Sequence, residues 1–199
     1  ISSRLRLLAP GAILQLSAGD PGVLAEQTLA WTRTALGSES IAVRDMAATL
    51  LGDLETGQSL TGLAQAVRDR EREVRRSAAR SLGRKNARQA LAMLAQVLDD
   101  ADDEVRVIGM RSIASVSAAL KQSGDQDADK LVVDGLSRLT LASDERDRVA
   151  AAGTLLQLGD RSRRGLVVAG LSSGSPLVRR LAVEVLDRDE PLLRQALSD

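Results

Sequence analysis

The chain has 199 residues, with 27 basic and 27 acidic side chains and no formal net charge. One Trp and no Phe or Tyr leave an aliphatic core, which suits closely packed helices and serves sandwiches and barrels poorly. With no Cys and no His, the sequence excludes disulfides, thiolate nucleophiles, Ser-His-Asp relays and almost every zinc or non-haem iron site.

An all-α fold is therefore expected. The apolar stretch from Leu7 to Leu16 is broken by Pro10, Gly11 and Gln15 and is too short to span a bilayer, so no direct membrane insertion is expected. The chain opens on Ile1, which suggests part of a longer polypeptide, and no clean apolar run with a cleavage site reads as a signal peptide. Lack of Cys does not decide the compartment, and a cytoplasmic setting is the expectation.

In chain order, the first candidate element is an eroded helix pair. ILQLSAGD from Ile13 echoes LLQLGD at Leu155, and Pro21 to Leu36, which contains Trp31, forms its second helix. A core or repeat-interface position is expected for Trp31. Five segments then align: SIAVRDMAATLL from Ser40, EREVRRSAARSL from Glu71, DDEVRVIGMRSI from Asp102, DERDRVAAAGTL from Asp144 and SPLVRRLAVEVL from Ser175. Their starts are separated by 31, 31, 42 and 31 residues, so one copy carries an insertion, placed near residues 119–129. Each segment reads as a helix. Its leading Ser, Asp or Glu takes the N-cap position, a small residue follows seven places on and a large aliphatic one eleven places on. Ser40, Asp102, Asp144 and Ser175 are expected to cap with their side-chain oxygens. Second helices follow, marked by Leu60, Leu63 and Val67, then Leu91, Leu94 and Leu98, and the last pair closes with Glu190 to Leu197.

A VR pair followed by small residues and then Leu, at a period of 31, resembles the HEAT-like repeats of the phycobilisome-lyase type. The resemblance spans nearly the whole chain. It implies a single α-α superhelix over residues 1–199, in about six pairs that stack because no pair buries its apolar face alone. It also raises, as an alternative function, a bilin lyase-like subunit that attaches or detaches chromophores. Stacking a tetrapyrrole without Tyr or Phe, and without a compact basic pocket, would be difficult. Hydroxylases on such repeats use His and Glu for iron, and His is absent; DNA glycosylases on them need an electropositive concave face.

The remaining motifs are weighed on their chemistry. Arg44, Arg75, Arg106, Arg148 and Arg179 share one column, and a structural ladder to acidic residues of adjacent repeats is the expectation. GLSSG around Ser172 has the letters of a nucleophile elbow without the strand or the His that the chemistry needs. Asp125, Asp127 and Asp129 are spaced like the start of a calcium loop, but Lys130 stands where Gly belongs and Leu136 where Glu belongs, so a solvated flexible insert is expected. Residues 68–88 hold nine basic and three acidic side chains, whereas residues 99–134 hold four basic and nine acidic ones. Arg72, Arg76 and Arg80, four apart, form an exposed basic stripe.

The expected function is a non-catalytic scaffold for a protein or peptide partner, held along a groove lined by second helices. Candidate groove residues are Gln58, Thr61 and Gln65, then Gln89, Ala92 and Gln96, then Asp134 and Arg138, with Arg72, Arg76 and Arg80 as a second candidate surface. No cofactor, metal or nucleic-acid partner is expected.

Overall fold

The computed structural model describes residues 21–54 and 57–187. Among them are ten α-helices and no strand, so the fold is all-α as the aliphatic composition requires. The eroded copy at Ile13 and the closing segment Glu190 to Leu197 lie outside the described residues. The chain divides into two compact units, one up to Lys85 and one from Asn86.

The first unit holds α1 (Pro21–Ala35), α2 (Ile41–Asp53), α3 (Gly57–Ala66) and α4 (Arg72–Leu82). Helix α2 packs against the other three, its Ala47, Ala48 and Leu51 buried. A Cβ on Gly62 would stand 2.7 Å from a Leu51 methyl, so glycine lets α3 come close to α2. The carbonyls at the end of α2 find donors after α4: Lys85 Nζ reaches Gly52 O at 3.0 Å and Leu54 O at 2.5 Å, and Arg84 Nη2 reaches Thr49 O at 3.0 Å. Cationic donors on orphan carbonyls satisfy both their hydrogen bonding and the negative end of the helix dipole. Trp31 is half-buried in α1, between the core and exposed extremes.

The second unit holds α5 (Arg88–Val97), α6 (Asp103–Gln122), α7 (Val133–Leu139), α8 (Glu145–Leu158), α9 (Arg164–Gly170) and α10 (Pro176–Asp187). Helix α8 is its centre: it packs against α6, α7, α9 and α10, and every residue from Val149 to Leu156 is buried. A glycine two places beyond the small-residue column explains the fit. Gly153 takes a position where a Cβ would lie 2.5 Å from Val185 of α10. Helix α8 ends on Gly159 at φ +106°, a left-handed C-cap, with the Asp160 amide bonded back to Leu155 O at 2.9 Å.

Two expectations are corrected. Side-chain capping occurs at Asp102 and Asp144, each of which accepts two backbone N–H groups at 2.8–3.1 Å; Ser40 makes no such bond. The insert is no free loop. It extends α6 to Gln122, because Ile113, Val116 and Leu120 keep the helical stripe running, and all three are buried. Gly124, at φ +97°, then turns the chain into a 3₁₀ turn over Ala128–Leu131, whose Ala128 is fully buried.

Candidate functional site

The arginine column comes first because it could be mistaken for a ligand site. In all five copies, Nη1 donates to the carbonyls six and five residues upstream, at 2.6–3.2 Å. Each guanidinium thereby ties the entering loop to its own helix. In two copies the other edge of the fork holds a carboxylate of the following repeat: Arg44 Nε and Nη2 bond Asp69 at 2.7 and 3.1 Å, and Arg106 Nε and Nη2 bond Asp147 at 3.0 and 2.6 Å. This is the expected ladder, with planar bidentate pairing. Burial pushes the Asp69 carboxyl up, but the Arg44 hydrogen bond, the Glu71 backbone N–H and the Arg44 charge outweigh it and hold Asp69 below the usual carboxylate range.

One column escaped the sequence reading. Ser38, Asp69, Asp100 and Ser173, two residues before the N-cap column, accept the amides of Ser40, Glu71, Asp102 and Ser175 at 2.9–3.2 Å. The signal was present as a recurring Ser or Asp at this offset, and such side chains favour local turns of this kind.

The candidate groove residues are all exposed: Gln58, Thr61 and Gln65 in the first unit, Gln89, Ala92, Gln96, Asp134 and Arg138 in the second. In the first unit they gather. Gln58, Thr61 and Gln65 of α3 face Thr32 and Arg33 of α1 around a cavity of about 140 Å³, with Leu29, Leu36, Leu51 and Gly62 as the rest of its lining. Arg33 Nη2 of α1 donates to Gln58 Oε1 of α3, which ties the two walls together. In the second unit Gln89 and Gln96 lie on α5, and Asp134 and Arg138 on α7, with Arg138 Nη2 3.6 Å from Asp99.

The basic stripe is narrower than expected. Arg72 and Arg80 are exposed, and Arg72 pairs with Glu73 at 3.3 Å, but Arg76 is half-buried. Ala79, three residues on, is fully buried, so the buried arc of α4 is wider than the Val74, Ala78 and Leu82 stripe and reaches the Arg76 flank.

The aspartates of the insert do not converge on a common centre. Asp125 pairs with Arg88, Asp127 with Lys130 at 2.9 Å and Asp129 with Lys121 at 2.8 Å. Among the described residues no His, Cys, Asp and Glu cluster could hold a metal ion, and no helix is long and apolar enough to cross a membrane. Ser172 is exposed in the turn after α9.

A second cleft was not foreseen. On the first-helix face of the second unit, Glu104, Val107, Arg111, Arg146, Leu177, Arg180, Leu181 and Glu184 line about 230 Å³. Arg111 of α6 reaches Glu184 of α10 at 2.5 Å, past the intervening α8. Glycine at 153 explains this: its column holds Thr49, Arg80, Arg111 and Glu184 in the other copies, and a residue with no side chain leaves the two charged neighbours a path to each other.

Helix pairs repeated at a fixed step, each clamped by the same arginine, define a helical repeat protein. The chain matches the HEAT repeats family over residues 27–114 and 60–137, together more than half its length, and belongs to that family. Among solved structures it is similar to the complex of CpcE and CpcF of phycocyanin lyase from Nostoc sp. PCC7120, with 22% identity and a TM-score of 0.47 over 81% of this chain and 75% of that one. No curated protein matches it.

Proposed function

We propose that the chain is a non-catalytic binding module that holds a segment of a protein partner on its second helices, with the α1–α3 cavity as the anchor point. The observation that carries this reading is the lining of that cavity: amide and hydroxyl groups of Gln58, Thr61 and Gln65 at the rim, aliphatic Leu29, Leu36 and Leu51 below. Glutamine offers both a donor and an acceptor, which matches an extended backbone, and the apolar floor suits one inserted side chain. At about 140 Å³ the space is well under the roughly 300–1,000 Å³ of small-molecule sites, so it fits a peptide side chain better than a tetrapyrrole.

The test is selection from a displayed library of unstructured peptides, followed by affinity measurement on purified chain. Replacing Gln58 and Gln65 together by Ala should weaken the selected peptide by about 1–3 kcal/mol in binding free energy while leaving the melting curve in place. Peptides that bind the double variant equally well would refute the site. A shifted absorbance band on mixing the chain with free bilin would instead favour the lyase-like alternative.

A further inference from the structure

The α1–α3 cavity sits where α1 departs from the second-helix pattern at two adjacent positions. Stepped by the repeat, Leu63, Leu94, Leu136 and Val167 form one column, and its member in α1 is Thr32. Thr32 is fully buried and donates its hydroxyl back to Leu29 O at 2.8 Å, so a shorter side chain stands where an aliphatic one would fill space. Gly62, on the α3 side, brings no side chain at all. The next column holds Ala64, Ala95, Ser137 and Val168, none of them charged, and its member in α1 is Arg33. Arg33 is exposed at the cavity wall, where Nη2 donates to Gln58 Oε1. Among the residues that line the cavity it alone is charged, and α3 carries no charged residue. On α7 of the other unit, by contrast, Arg138 lies 3.6 Å from an acid of its own, Asp99.

Resting on the binding role given above, we propose that the partner segment is acidic at its anchor: an aliphatic side chain enters between Leu29, Leu36 and Leu51, and a neighbouring aspartate or glutamate meets Arg33. A residue repeated in every copy serves the repeat, as Arg44, Arg75, Arg106, Arg148 and Arg179 do. A cation present in one copy only, on the wall of a cavity, is not needed to build the unit. The bond to Gln58 sets the guanidinium at the rim, and the remaining N–H groups of the fork can take a carboxylate. A neutral segment would leave the cation without a counter-charge and a basic one would be repelled, so the site selects by charge. The acid is a side chain, not a chain end, because Gln58, Thr61 and Gln65 extend the rim over about two turns of α3 and suit backbone on both sides of the anchor. In an extended segment, the residue two places from the anchor returns to the same face about 7 Å away, which sets the expected spacing.

The test takes the tightest peptide selected on the unmodified chain and varies both members of the pair. Selected sequences should hold Asp or Glu within two residues of an aliphatic anchor. Changing that acid to its amide should weaken binding about five- to tenfold, with the difference fading at high salt. Arg33→Gln should weaken the acidic peptide by a similar factor, leave the amide peptide within about twofold and keep the melting curve in place, since Arg33 is exposed. Arg33→Glu, paired with a peptide bearing Lys in place of the acid, should recover most of the lost affinity. Peptides that lose affinity when Gln58 and Gln65 are both Ala, yet respond neither to the amide change nor to Arg33→Gln, overturn the acidic anchor and leave the binding site standing. Indifference to Gln58 and Gln65 as well removes the site itself, and the acidic anchor with it. An amide change that costs as much in Arg33→Gln as in the unmodified chain also overturns it, because the acid then answers another group. So does loss on amidating the peptide C-terminus while the side-chain acid is indifferent, which would assign the carboxylate to a chain end.

Discussion

Asp147 stands where the other copies have Val43, Val74, Val105 and Val178, so this repeat replaced a core aliphatic by a charge. The carboxylate is only 4% exposed and depends on Arg106, whose side chain is 16% exposed and bonds it through Nε at 3.0 Å and Nη2 at 2.6 Å. The two partners should therefore respond unequally to deletion. Arg106→Ala leaves a buried carboxylate without its counter-charge and strips donors from Asp100 O and Ala101 O, and it should cost about 3–5 kcal/mol. Asp147→Val restores the aliphatic stripe and leaves Arg106 with its two carbonyl bonds and some solvent access. The apolar gain, about 1.5–3 kcal/mol for a buried Val, offsets most of the lost pairing, so its net change should stay within about 1.5 kcal/mol of zero. Urea denaturation of the two single variants and of the double variant Arg106→Leu with Asp147→Val, compared at unchanged m, measures all three. The double variant should be more stable than Arg106→Ala. If Arg106→Ala costs under about 1 kcal/mol, or if Asp147→Val costs as much as Arg106→Ala, the account of the ladder is wrong.

Leu82→Ala and Leu155→Ala, both at fully buried sites, should each lose about 2–5 kcal/mol of unfolding free energy in urea. Gly153→Ala should lose about 1–3 kcal/mol despite its better helix propensity, since the new methyl meets Val185 at 2.5 Å; a neutral result by thermal melting would show that α10 shifts freely. Deleting residues 119–129 should lower the melting temperature by several degrees rather than leave it unchanged, because it removes buried Leu120 and Ala128, the Asp125 partner of Arg88 and the Lys121 donor to Leu158 O. Asp69 and Asp125 both have carboxyls held below their ordinary value of 3.8, chiefly by Arg44 against an opposing burial effect and by Arg88 respectively. Their stabilisation is complete above the unfolded-state value and fades as acid titrates the folded state, so stability should be flat from pH 7 to about 5 and fall below about pH 4. In Asp69→Asn that acid limb should be shallower.

The repeat, its helices and the structural role of the arginine column were legible because they are written in local, periodic chemistry. VR at a fixed offset, a small residue seven places after the cap and a large aliphatic eleven places after it each have one steric meaning on a helix. The insert was misjudged because an excess over the period was equated with a loop, although Val116 and Leu120 continued the stripe of Ile113 in plain sight. Half-burial of Arg76 could not be read from its own helix, since it depends on how far the buried arc extends around α4. The gathering of Gln58, Thr61 and Gln65 followed from second-helix spacing, but the opposing wall from Thr32 and Arg33 required the packing of α1 on α3. The charged cleft was hidden for the converse reason. Its cause is a missing side chain at Gly153, and absence leaves no pattern until charged neighbours from α6 and α10 are seen to meet over it.

Hydrogen exchange of the chain with and without the tightest peptide selected by display tests the binding account most directly, because it maps contact without assuming a site. The account predicts slowed exchange concentrated in residues 26–36 and 57–66, on the two helices that wall the cavity, and its loss when Gln58 and Gln65 are both Ala. Protection confined to the first-helix cleft around Arg111 and Glu184, with α1 and α3 unchanged, would contradict it.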